Sequence, residues 1–321
     1  TSDINPGNYN ASIEIESELV ESVMIPIELN LSAMDSIPQL PSIDISNSNN
    51  GIVNMPEDDN SLFSSIASHY THLVAPNGDV IPILIQDEIA DFQVLHIRGI
   101  LQSYLEDVNG TQWGSNKSLI SNAIASSNAM LFILNDDSEI ENSDLISLFD
   151  LGVDGHIIIS DKIISEGTSE YITNLSNDLS YQIILDFIYE HGIQLVIPGM
   201  VNHLEESMIN AITDDIYIPS PQISEENYLL RYFKLGLEIY YGLWEHNPNE
   251  DGFAGDQEYA LINRNQLQNG DSLLYGILNN FFNEFWTYNA ILPSTFSSSF
   301  NLTLDTSSTY TYKSQYLKHI N

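Results

Sequence analysis

The stretch THLVAPNGDVIPILIQDEIADFQVLHIRGILQSYLEDV, residues 71–108, decides the fold class. Two apolar, β-branched runs flank a Pro-Asn-Gly turn, which is the pattern of an antiparallel strand pair. Asp87 then stands where a side-chain oxygen caps a helix, and Ile89, Phe92, Leu95, Ile100, Leu101 and Leu105 fall near one face of that helix. Val108, Asn109 and Gly110 end it. A strand period therefore passes directly into a helical one.

The same alternation of element types continues outward. SNKSLISNAIASS (115–127) reads as a second helix, AMLFIL (129–134) as a buried strand, NDDSEIENSD (135–144) as an acidic loop and HIIIS (156–160) as a further short strand. Helical patterns then dominate, near 163–173, 180–190, 200–212, 224–245, 257–267 and 271–287. The tail SSSFNLTLDTSSTYTYKSQYL (297–317) alternates and reads as a β-hairpin. These patterns predict an α+β protein: a mainly helical body with a small early sheet, a C-terminal β-hairpin and an extended acidic N-terminal arm. The expected divisions are an arm at 1–60, a globular domain at 61–292 and a hairpin segment at 293–321.

Composition bounds the partners. The chain has 321 residues, 43% of them hydrophobic, which is enough to bury a substantial core. Against 8 Lys and Arg stand 45 Asp and Glu, for a formal charge of -37. Nucleic acid is excluded as a partner, because phosphate binding needs cationic side chains. There is no cysteine, so disulfide and thiol chemistry are excluded too. No run of about 18 apolar residues occurs, and no membrane span is expected. The segment TSDINPGNYN carries neither a basic region nor an apolar one. The acidity, with the oxygen-rich loop at 247–258, places the expectation outside the cell or at its surface.

The arm is the most acidic part, since the first Lys or Arg is Arg98. ASIEIESELVESVMIPIELNLS (11–32) alternates weakly and reads as one or two strands, whereas SIPQLPSIDISNSNNGIVNMPEDDN (36–60) reads as linker. Such an arm becomes ordered by docking on its own domain or by adding a strand to a neighbour's sheet. The second route makes homo-oligomer, filament or surface-layer contacts the expected partners.

Asn247 to Glu258, NPNEDGFAGDQE, closely resembles an EF-hand-type calcium loop. Asn247, Asn249 and Asp251 fall at its positions 1, 3 and 5, Gly252 at the turn, the Phe253 carbonyl at position 7, Gly255 at 9 and Glu258 at the bidentate position 12. The resemblance implies Ca2+ held by Asn247, Asn249, Asp251, Phe253 and Glu258, between an entering helix capped by Ser224 and an exiting helix in QEYALINRNQL (257–267). Only Asp251 and Glu258 bring charge, so the implied site is weak and structural, of the extracellular kind.

Signatures of catalysis are sparse. FIYEH (187–191) places Glu190 and His191 as in the inverted zinc-peptidase motif, with Phe187 where the first histidine would stand. With this motif, the early hairpin, helix and strand look loosely like a zincin-type peptidase domain, in which Glu166 or Glu170 on the 163–173 helix would supply a further ligand. His69 and His72 read as surface residues, His203 as part of a solvated helix face, and His96 and His156 as core histidines. No nucleophile elbow, phosphate loop or dinucleotide fingerprint occurs. The aromatics of 228–288 offer sugar-stacking faces, yet their helical spacing reads as core, so carbohydrate has no support. The leading expectation is a calcium-stabilised structural or adhesive protein without enzymatic activity. Its rival is a secreted hydrolase of zincin-like descent.

Overall fold

The strand pair of residues 71–86 forms the centre of a five-stranded mixed sheet. The computed structural model describes residues 37–48, 50–57, 61–164, 178–244 and 252–284, and the backbone of strands 7–17, 20–31, 288–291 and 309–312. Strands β1 (Gly7–Ser17) and β2 (Val20–Leu31) pair antiparallel with each other. The sheet has the order β3 (Val53–Asn54), β4 (His69–Val74), β5 (Val80–Ile85), β6 (Met130–Leu134) and β7 (Gly155–Ile159). Its first three strands are antiparallel neighbours, and β5, β6 and β7 run parallel. The chain is thus a mixed α+β protein, mainly helical, with its sheet early in the sequence.

Both faces of the sheet are covered. Ile81, Ile83 and Ile85 of β5, Leu131 and Ile133 of β6 and Ile158 of β7 enter one core. It is roofed by α2 (Asp91–Leu105), α3 (Ser118–Ser126) and α5 (Ser180–Ile188). Leu84, Met130, Phe132, Leu134 and Ile159 face the other core, with α1 (Leu62–Ile66) and α4 (Ser143–Asp150). Burial on both faces explains why AMLFIL shows no alternation: every residue of β6 is buried. Each such Leu, Ile or Phe contributes about 1.5–3 kcal/mol of transfer free energy.

The remaining helices are α6 (Pro198–Thr213), α7 (Tyr228–Tyr240), α8 (Arg264–Gly270) and α9 (Ser272–Phe281). Of the aromatics of 228–288, Tyr240, Tyr241, Phe281 and Phe282 are buried and Trp244 packs partly buried against the core, while Phe285 and Trp286 lie outside the described residues. Among the described residues no single helix is long and apolar enough to cross a membrane. Residues 37–57 bind their own domain. Leu40, Ile43 and Ile45 pack on the second core, Asn50 Nδ2 donates to Asp91 at 2.7 Å, and Arg98 donates to the Asn50 carbonyl at 2.6 Å.

Several expected boundaries move. Asp87 does not cap α2: Glu88 takes a left-handed φ of 68°, the helix begins at Asp91, and Gln93 accepts from the Ala90 N–H. α7 ends at Tyr240 instead of running to 245. Gly242, at φ 73°, donates to the Ile239 carbonyl and Leu243 to that of Glu238, a Schellman stop that only glycine enters without strain. Ser224 opens a short 3₁₀ turn, Glu225–Asn227, ahead of α7. The helix expected at 257–267 starts only at Arg264, because Gln257 is left-handed and Tyr259 bridges Ala254 and Tyr217. Ile163 and Ile164 are buried and non-helical, and the rest of the 163–173 helix, with Glu166 and Glu170, lies outside the described residues. β9 (Thr309–Tyr312) pairs with β8 (Tyr288–Ile291), and the other residues of the expected hairpin lie outside the described ones.

Candidate metal centre

Edge strand β7 and helix α5 bring three ligand-bearing side chains together. His156 shares the face of β7 that carries Ile158, and so points toward α5. A single π turn, Tyr189–Ile193, follows α5 and presents Glu190 and His191. Wide turns of this kind recur at functional sites. The ligand atoms offered by His156, Glu190 and His191 lie within 4.8 Å of one another, and His156 Nε2 is 3.4 Å from Glu190 Oε2.

Two glycines allow this approach. A β-carbon at Gly155 would lie 2.6 Å from Phe132 Cε2 and 2.8 Å from the Met130 carbonyl. At Gly192 it would lie 2.5 Å from Ile120 Cγ2 on α3. Neither site admits a side chain without displacing its neighbour. Each glycine is next in sequence to one of the histidines, and so fixes where the imidazole stands.

The rings of His156, Phe187 and His191 form a triangle with centroid separations of 5.6, 5.5 and 5.3 Å. Phe187 fills the corner where the inverted motif would have a histidine, and His156, 31 positions earlier, contributes the second imidazole from the sheet. Burial pushes the His156 imidazole down to about 4, helped by the neighbouring His191. Burial also lowers that of His191. Both rings are therefore neutral near pH 7, the form that donates a lone pair to a metal. His156 Nδ1 and His191 Nε2 are buried without a hydrogen-bond partner. Each ring thus carries one buried nitrogen without a protein partner, which is costly unless a ligand engages it. The Glu190 side chain is 46% exposed, so the cluster opens to solvent on the carboxylate side.

His156 is thus not the satisfied core histidine expected of it, whereas His96 is, bonded through Nε2 to buried Asp178 at 2.5 Å. His203 is exposed as expected. The signal for His156 was a polar residue on the inward side of the all-Ile strand HIII, and spacing to Glu190 and His191 gave no hint of the contact.

The calcium-loop residues are only partly placed. Asn247, Asn249 and Asp251 lie outside the described residues. Phe253 precedes the Ala254–Tyr259 bridge, and Glu258 is buried. Arg231 grips Glu258 Oε2 through both Nε, at 2.9 Å, and Nη2, while Glu258 Oε1 is buried with no partner. The flanking helices stand off, α7 ending at Tyr240 and α8 beginning at Arg264.

A polar seam between α5 and α7 links these regions. Arg231 Nη1 donates to Gln182 Oε1 at 3.4 Å, Gln182 Nε2 donates to Glu238 Oε1 at 2.6 Å, and Trp244 Nε1 donates to Glu238 Oε2 at 2.9 Å. Burial pushes the Glu238 carboxyl up to about 7 against those two donors. Lys234 and Asp186 pair at 2.9 Å one turn from Glu190, and burial raises the Asp186 carboxyl to about 6.

No family model, curated protein or solved structure matches the chain.

Proposed function

We propose that this chain binds one zinc-class divalent ion through His156, Glu190 and His191, and that the ion ties the edge of the sheet to the π turn after α5. The observation that carries the reading is the convergence of ligand atoms from two neutral imidazoles and one carboxylate within 4.8 Å. Two nitrogens and one oxygen suit zinc better than calcium, which prefers six or more oxygens. Zinc bonds of about 2.0–2.2 Å imply ligand separations near 3.4 Å in a tetrahedron, a spacing that His156 Nε2 and Glu190 Oε2 already have at 3.4 Å.

Three protein ligands leave one position for water, the arrangement of hydrolytic zinc sites. The half-exposed Glu190 favours access to that position, and this supports a metal-assisted hydrolase over a purely structural protein; as a ligand, Glu190 departs from the base role it has in the inverted peptidase motif. The ion would supply a lowered water pKa and a Lewis acid there. His156 and His191 fix its place from two rigid elements, and Phe187 keeps the far side dry. Loading the chain with zinc and assaying hydrolysis of a mixed peptide and ester library tests the catalytic part. Zinc-dependent turnover lost in His191→Ala supports it, and turnover equal in both proteins contradicts it.

A second reading, calcium at 247–258, is favoured by Glu258 Oε1, buried and unpartnered at position 12. Arg231 on the other oxygen works against it. Calcium that raises the melting temperature, with the rise lost in Glu258→Gln, is the expected result of that reading. Placement outside the cell remains part of the proposal, supported by the charge of -37, and self-association through the arm requires that salt or divalent ions screen that charge.

A further inference from the structure

On the face of the sheet opposite the histidine cluster, a cavity of about 890 Å³ lies between the strap at 38–46 and the β4–β5 hairpin. Its size falls at the upper end of the range that holds a drug-sized ligand. The strap is anchored, since Leu40, Ile43 and Ile45 pack on the second core and Asn50 is bonded to Asp91 and Arg98. Leu40, Pro82 and Met130 give apolar walls, Tyr70 gives an aromatic edge, and Asp44 and Asp79 stand exposed at the rim. No lysine or arginine lines it.

We propose that this cavity binds a small organic cation with an apolar body, such as an arylalkylamine. Two carboxylates, Asp44 and Asp79, and no lysine or arginine line the cavity. The Asp44 carboxylate is fixed by the Ser46 N–H at 2.9 Å, which also holds it below the usual carboxylate range and so ionised. His72 also lines the cavity, and burial together with Arg98 keeps that ring neutral, so it sets no positive charge against a cation. The Tyr70 ring, 5.5 Å from that of His72, adds an aromatic edge to the site. The two carboxylates, with no opposing positive charge, select a cation, while the proline, aliphatic and aromatic walls select shape.

The test is equilibrium dialysis of the full chain at 0.15 M NaCl with three probes of one shape: phenethylammonium, 2-phenylethanol and 3-phenylpropanoate. The cation is expected to bind about tenfold or more tighter than the alcohol, and the carboxylate not at all. Asp44→Asn weakens the cation several-fold. Ser42→Trp, which plugs the cavity without changing charge, abolishes binding and so separates it from general attraction to an acidic protein. His191→Ala leaves cation binding unchanged, which keeps this site independent of the proposed metal centre. Equal affinity for cation and alcohol, or cation binding that survives Ser42→Trp, overturns the proposal.

Discussion

At the residue scale, Phe187 is the most informative position. It is fully buried between two imidazoles, where the inverted peptidase motif has a histidine. Phe187→His buries a polar ring and, without metal, is expected to destabilise the chain by about 1–3 kcal/mol. Saturating zinc should then raise the variant's melting temperature more than that of the wild type, because a third nitrogen completes the ligand set. A variant whose melt ignores zinc would argue that the rings do not converge on an ion. Glu238 gives a separate prediction. Its folded carboxyl titrates near 7 against an ordinary value of 4.5, so between those pH values the folded state holds a proton the unfolded state has lost. Stability contributed by that proton is present at low pH and is lost as pH rises from 4.5 to 7, by at most about 1.4 kcal/mol per pH unit. Urea unfolding at pH 5 and pH 8 should show a larger fall for the wild type than for Glu238→Gln, and equal falls would count against a buried proton there.

At the element scale, the site depends on a π turn held beneath α3. Gly192→Ala inserts a methyl group 2.5 Å from Ile120 Cγ2, and overpacking of this kind costs about 1–3 kcal/mol. The expected outcome is a lower melting temperature and weaker zinc binding together. Loss of stability with zinc affinity intact would show that the turn does not position His191. This scale also shows what was legible in the sequence. The strand pair at 69–85, the helix at 118–126 and the buried run AMLFIL follow directly from period and turn chemistry. The stop of α7 was written in YYGLW, where Gly242 takes φ 73°, yet the surrounding aromatics prolong the helical pattern past it. The late start of α8 was not legible, because it depends on Tyr259 bridging to distant Tyr217. The cluster of His156, Glu190 and His191 was half legible: Glu190 and His191 carry a recognisable spacing, and His156 joins them only through the packing of α5 on β7.

At the scale of the whole molecule, charge governs behaviour. A chain of charge -37 repels itself, and salt shortens the range of that repulsion from about 30 Å at 0.01 M to about 3 Å at 1 M. Melting temperature should therefore climb with sodium chloride, and a flat salt profile would mean that local pairing already neutralises the surface. The same field draws any divalent cation toward the protein, so selectivity must come from ligand chemistry. Nitrogen ligands distinguish zinc from calcium where carboxylates alone do not. The most direct test of the central claim is the zinc content of the dialysed chain in the presence of millimolar calcium, with a His156→Ala/His191→Ala double variant in parallel. The account predicts one equivalent of zinc in the wild type and none in the variant. No retained zinc, or equal zinc in both proteins, would contradict it.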